Sequence, residues 1–208
     1  MAGSDVKAKY IAADTNAADA ASVCTAEQLS GGGEQAIPID GTDASGGVAT
    51  FTAARKLTVT ASAADSARTV TITGTDVNGN AQTEAIGVTD SGVSTGSLYF
   101  RTVTAVVVDD NTLGTLSVGM ANDAIDVIYA GRARLRGIYL IHTGTAGTIP
   151  FRNGGATGTA MLTVPTPASA NSTRDIVIPD EGIMFDSGAY ITYTAGTTVF
   201  SSFVALYN

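Results

Sequence analysis

The chain has 208 residues, enough for one large β-domain or two small ones. Only 14% of its residues are charged, against about a quarter in an ordinary domain, so small hydroxyl residues and glycine must cover its surface. The net charge of −8 argues against a nucleic-acid partner, the single cysteine excludes an intrachain disulfide, and the absence of an apolar run of membrane-crossing length excludes a transmembrane helix.

Residues 1–34 read as an N-terminal arm. Ala12 to Leu29 is rich in Ala, Asp and Asn, with few large apolar side chains to bury. Ala17-Ala18-Asp19-Ala20-Ala21 has the propensity for one helical turn, and Ser30-Gly31-Gly32-Gly33 marks a break. The first fourteen residues lack the apolar core of a signal peptide, so synthesis in a cytoplasm is expected. Gly/Ser/Thr richness can signal disorder, but the many Val, Ile and Thr beyond this arm argue against it.

Residues 35–130 read as a first β-domain. Ala36 to Asp40 is a short strand whose Pro38 suits an edge, and Gly41 to Gly47 is a loop. Val48 to Phe51 and Lys56 to Ala61 are brief strands. Thr69-Val70-Thr71-Ile72-Thr73 alternates hydroxyl and aliphatic side chains, as a half-buried strand does. Asp76-Val77-Asn78-Gly79-Asn80 then supplies a hairpin turn into Ala81 to Ile86. Ser97 to Arg101, Val103 to Val108 and Thr115 to Gly119 continue the series, separated by turns at Thr89 to Gly92 and Asp109 to Thr112. Ala121 to Gly131 reads as a junction.

Residues 131–208 read as a second β-domain. Strands are expected at Leu135 to His142, Gly147 to Arg152, Gly158 to Val164, Arg174 to Ile178, Gly182 to Phe185, Ala189 to Thr194 and Thr198 to Leu206, with Pro165 to Ala170 as a loop. Seven strands in so short a stretch suit a compact sandwich or jelly roll. No window keeps helical apolar spacing beyond two turns. The fold class is therefore all-β: two small β-sandwich or jelly-roll-like domains preceded by an arm.

Reactive chemistry is sparse. Gly92-Val93-Ser94-Thr95-Gly96 matches the hydrolase pattern G-x-S-x-G, and the only histidine, His142, follows it. A nucleophile elbow needs a strand before the serine and a helix after it, so the stretch reads as a loop and His142 as structural. Cys24 has no locatable base and reads as inert. One Cys and one His cannot build a zinc site. Asp76 to Asn80 resembles the start of a calcium loop, but Ala81 and Gly87 stand where that pattern needs glycine and glutamate. Asn153 to Gly158 lacks the Lys-Ser/Thr of a phosphate loop, and Asp180-Glu181 lies in a loop after Pro179. Arg132, Arg134 and Arg136 alternate and share one strand face. The sequence thus assigns no catalytic, cofactor-binding or metal-ligating residue and points away from an enzyme.

Two runs carry a family resemblance. The first is Gly46-Gly47-Val48-Ala49-Thr50-Phe51, Arg55-Lys56-Leu57-Thr58-Val59-Thr60, Val70 to Glu84 and Tyr99-Phe100-Arg101-Thr102-Val103-Thr104. The second is Ala133-Arg134-Leu135-Arg136-Gly137-Ile138-Tyr139-Leu140, Arg152-Asn153-Gly154-Gly155, Pro179 to Phe185 and Gly188-Ala189-Tyr190. Spread over residues 46–190, they resemble the β-domains of structural proteins of tailed-bacteriophage virions. The resemblance implies a non-enzymatic particle component, most like a capsid decoration or cement protein. Such a protein binds the major capsid protein on the particle exterior, often as a homotrimer, with no nucleic-acid or membrane partner. In this reading the arm is ordered across capsid or sister subunits. A neck, tail or fibre-base protein and a host-surface binding module are the alternatives.

Overall fold

The computed structural model describes residues 5–169 and 171–208. The first four residues of the expected arm, and Ala170 at the end of the expected loop, lie outside them. In chain order the described residues form β1 (Lys7–Ala12), β2 (Asp19–Glu27), β3 (Gln35–Ala36), β4 (Ala44–Ser45), β5 (Val48–Ala61), β6 (Thr69–Thr75), β7 (Ala81–Gly87) and β8 (Val93–Val108). There follow β9 (Leu116–Tyr129), β10 (Ala133–His142), β11 (Gly147–Asn153), β12 (Thr159–Thr166), β13 (Ser172–Val177), β14 (Ile183–Phe185), β15 (Ala189–Thr194) and β16 (Phe200–Tyr207). The fold is all-β and sandwich-like, built of antiparallel sheets, with no helix among the described residues.

The chain divides into two compact units. An insert unit holds Ala17–Ala124; a terminal unit holds the described residues through Asn16 together with Ile125–Asn208. In the insert unit the order is β9, β5, β8, β6, β7, with β2 on β9, β3 on β8 and β4 on β5. The alternation read in Thr69 to Thr73 is realised here: Val70 and Ile72 are buried while the threonines between them are not. β6 pairs with β7 without a register shift, from Thr69↔Gly87 to Thr75↔Ala81. Gly79 takes the positive φ, 84°, that the turn requires.

β8 is one long strand with β5 and β6 as its main partners and β3 at its end. Its beginning pairs with β5 and its end with β6. The ladder with β5 carries two bulges: β5 bulges between Thr50 and Arg55, and β8 between Thr95 and Tyr99. A third irregularity, between Thr73 and Gly74, brings β6 onto β8 so closely that a Cβ at Gly74 would lie 1.9 Å from the Thr102 carbonyl oxygen.

In the terminal unit one sheet has the order β1, β16, β10, β13, with β14 also on β10. A second has β12, β11, β15 and the end of β9. An edge-to-face ladder of rings joins them across the core: Tyr193 to Phe200 at 5.1 Å, Phe200 to Phe203 at 5.5 Å, and Phe203 to Phe151 at 5.7 Å between centroids. In β10, Ala133 and Leu135 point inward. A register shift at Arg136 then resets the phase, so Ile138, Leu140 and His142 also point inward. Without that extra residue the second half of β10 would turn its apolar side chains to solvent.

The organisation differs from the sequence reading at the boundaries. The expected arm is not free: Lys7–Ala12 is an edge strand on β16, and Asp19–Glu27 pairs with β9. The expected junction at Ala121 to Gly131 is largely strand, because β9 runs from one unit into the other. The expected divisions at 34/35 and 130/131 fall instead at Asn16/Ala17 and Ala124/Ile125. Gly92 to Gly96 is not a loop either, since β8 begins at Val93. Pro165 and Thr166 end β12 before the loop begins.

Gly74→Ala should therefore lower stability by about 1–3 kcal/mol, the usual cost of forcing atoms into packed space. Thermal unfolding followed by circular dichroism should show a melting point several degrees lower, with the spectrum unchanged.

Candidate functional site

The histidine sits where strand register forces it. His142 faces the core of the terminal unit opposite Ser172 of β13. The Gly144 N–H donates to its Nδ1 at 3.2 Å, so the proton sits on Nε2, which donates to Ser172 Oγ. A general base would need the reverse arrangement, with a free Nε2 accepting from the serine. His142 therefore ties β10 to β13 and to the turn after it. Ser94, the other half of the sequence pattern, lies in the insert unit and shares a hydrogen bond with Thr89 Oγ1 at 2.8 Å.

Cys24 lies buried in β2 opposite Val118. Burial, and then the charges of Asp40 and Glu27, push its thiol up to about 12. The thiol stays protonated at neutral pH and is a poor nucleophile.

The carboxylates of the insert unit face backbone N–H groups. Asp76 Oδ1 accepts from Asn78 and Asn80 within its own turn, at 2.8 and 2.9 Å, and Oδ2 accepts from the Asn80 amide. The loop that resembles a calcium site thus points its acid inward. Glu84 Oε1 accepts from Ser97 N–H, Ser97 Oγ and Leu98 N–H, catching the donors that the β8 bulge leaves unpaired. Asp65, buried, accepts from Leu113 and Gly114 N–H. Asp40 accepts from both the N–H and the hydroxyl of Thr25, which hold its carboxyl below the usual aspartate value. Asp110 is lowered likewise by Asn111 and Gly33 N–H, with a lesser contribution from Arg68. Among the described residues no group of three or more His, Cys, Asp or Glu side chains could hold a metal ion.

Arg55 carries no sequence signal and is fully buried in the insert unit, its Nε donating to the Ala121 carbonyl oxygen at 3.0 Å. Asn153 to Gly158 forms the β11–β12 turn, with Gly154 and Gly155 at positive φ and the Ser187 N–H donating to Asn153 Oδ1. Glu181 pairs with Arg134 at 3.1 Å and Asp186 with Arg132 at 3.3 Å. Beside these arginines an open groove of about 330 Å³ is lined by Arg132, Ala133, Arg134, Met184 and Asn208.

Charge and exposed apolar surface are unevenly divided. The terminal unit has seven Lys/Arg and seven Asp/Glu; the insert unit has four and twelve, and so carries the entire net charge of −8. Most of the large apolar side chains left in solvent belong to the neutral unit: Val6, Tyr10, Tyr129, Tyr139, Met161, Val177 and Leu206. No family model, curated protein or solved structure matches the chain.

Two solution measurements follow. The native thiol of Cys24 should react far more slowly than an unfolded one, since a rise from 9.0 to about 12 leaves about a thousandfold less thiolate; labelling at pH 8 with and without urea reads the ratio. Because Asp40 is lowered in the folded state, its stabilisation is whole above the 3.8 of a free aspartate and is lost as pH falls through the folded value. Asp40→Asn should therefore flatten the loss of stability on acidification, read as urea midpoints at pH 7 and pH 3.

Proposed function

We propose that the chain is a non-enzymatic structural protein of a tailed-bacteriophage virion, a capsid decoration protein bound to the major capsid protein on the outer lattice. The observation that carries this reading is the division of charge and apolar surface between the two units. A neutral body with exposed tyrosine, valine and leucine suits adhesion, because close contact there meets no net repulsion. A body carrying eight excess negative charges suits the solvent side, where it keeps particles apart. The sequence resemblance over residues 46–190 supplies the particle as the setting. In this function the protein contributes area multiplied by copy number: modest contacts repeated over a lattice sum to a large stabilisation of the shell.

β1 is part of the terminal unit's sheet, so the capsid contact is assigned to that unit's surface instead of a flexible arm. Counting copies in purified virions by quantitative gel tests the reading. Hundreds of copies, with particles lacking the protein breaking at lower temperature, are expected. A handful of copies in a fixed ring would move the protein to the neck or tail, and absence from virions would end the reading.

A further inference from the structure

The five-stranded sheet of the terminal unit buries one face and leaves the other, across β1, β16, β10 and β13, open. Two cross-strand rows define the open face. The first is Tyr10, Val204, Tyr139 and Asp175; the second is Ala8, Leu206, Gly137 and Val177. Side-chain neighbours in each row lie side by side on the same face. Tyr10 is 63% exposed, Tyr139 45%, Leu206 39% and Val177 77%, while Ile11, Ile138, Leu140, Phe203 and Ala205 behind them are buried. Gly137 leaves a dent in the second row, bounded by the Ile176 carbonyl oxygen and Leu206 Cδ1, which lie 3.1 and 3.7 Å from where a Cβ would stand.

We propose that this face is the contact between two copies of the chain, related by a two-fold axis. The charges at its ends select a second copy over other occupants. Asp175 stands opposite Tyr139, and Arg136 lies three residues back along β10, a separation of roughly 10 Å at 3.3 Å per residue. Neither makes an ion pair among the described residues. A two-fold axis midway between them sets Arg136 of one copy against Asp175 of the other, twice. It also turns the Tyr139 ring of each copy towards the Gly137 dent of its mate. A surface that pairs with itself must be self-complementary in this way. The terminal unit's zero net charge adds no general repulsion. Four strands by six residues span roughly 20 by 20 Å, about 400 Å² per copy, which is about half a standard specific interface and in the range of weak, transient contacts. The pair is therefore weak in dilute solution and fills where copies are crowded. The contact takes four of the terminal unit's seven exposed apolar side chains and leaves Val6, Tyr129 and Met161 for the capsid, and its test in purified protein needs no particle.

Sedimentation equilibrium of the full chain from low micromolar to several hundred micromolar tests it. The apparent mass should rise from the 20.9 kDa of one chain towards twice that value. Tyr139→Lys should raise the dissociation constant at least about tenfold, as loss of a central aromatic does, with unchanged thermal unfolding. Leu113→Lys, at an exposed leucine of the insert unit, should leave association intact. Arg136→Asp and Asp175→Arg should each weaken it, and the double variant should restore it at unchanged monomer stability. A monomer at every concentration, a limit at three chain masses, association indifferent to Tyr139→Lys, or failure of the double variant to recover would each overturn the two-fold contact.

Discussion

A chain without helices must find partners for its backbone N–H and C=O groups across strands or from side chains, because leaving them buried and unpaired costs about as much as a lost hydrogen bond. Strand ladders satisfy most of them here. Where the ladders break, carboxylates take over. At least seven of the twelve acidic side chains of the insert unit accept a backbone N–H: Asp19, Asp40, Asp65, Asp76, Glu84, Asp90 and Asp110. Each serves a turn, a bulge or a loop crossing. The acidity that looks like a surface property in the composition is therefore in large part an internal fitting.

That use of carboxylates follows from the geometry of β8. Within its pairing to β5, β8 bulges between Thr95 and Tyr99, and a bulge strands donors. Glu84 reaches from β7 to collect the N–H groups of Ser97 and Leu98, and Gln82 donates from the same strand to the Tyr99 carbonyl oxygen. β7 is thereby joined to the first half of β8 by side chains where its backbone cannot reach. Charge-assisted acceptors are the stronger choice for this task, because an ionised oxygen binds an N–H roughly twice as well as a neutral one. The terminal unit meets the same constraint differently: an extra residue at Arg136 resets the phase of β10, and a ladder of rings fills the space between its sheets.

What could be read from the sequence was what is local. The β6–β7 hairpin shows because its alternation, its Asn-Gly turn and its partner strand are neighbours within Thr69 to Gly87. Lys7–Ala12 does not show, because its partner is β16 at the other end of the chain and this edge strand buries only Ile11, which leaves little pattern of its own. Nothing local marks Arg55 as buried, because the carbonyl it binds lies 66 residues away. His142 was readable as structural from its isolation. Its bond to Ser172 was not, since that depends on a register only the folded sheet sets. The two-unit layout was half visible: two β-bodies, but with boundaries hidden by a strand, β9, that belongs to both.

The unequal charge of the two units follows from these same interactions. A carboxylate committed to backbone donors still carries its charge, so the structural role of acids in the insert unit gives that body a strong negative field as a by-product. The terminal unit closes its core with aromatic rings and aliphatic strands, and so acquires no such field. Of the two bodies, only the second can present an apolar face such as Tyr10, Tyr139, Leu206 and Val177 to a like surface without repulsion. The difference in charge and exposed apolar surface thus traces to how each unit solves its backbone pairing: one with charge, the other with packing.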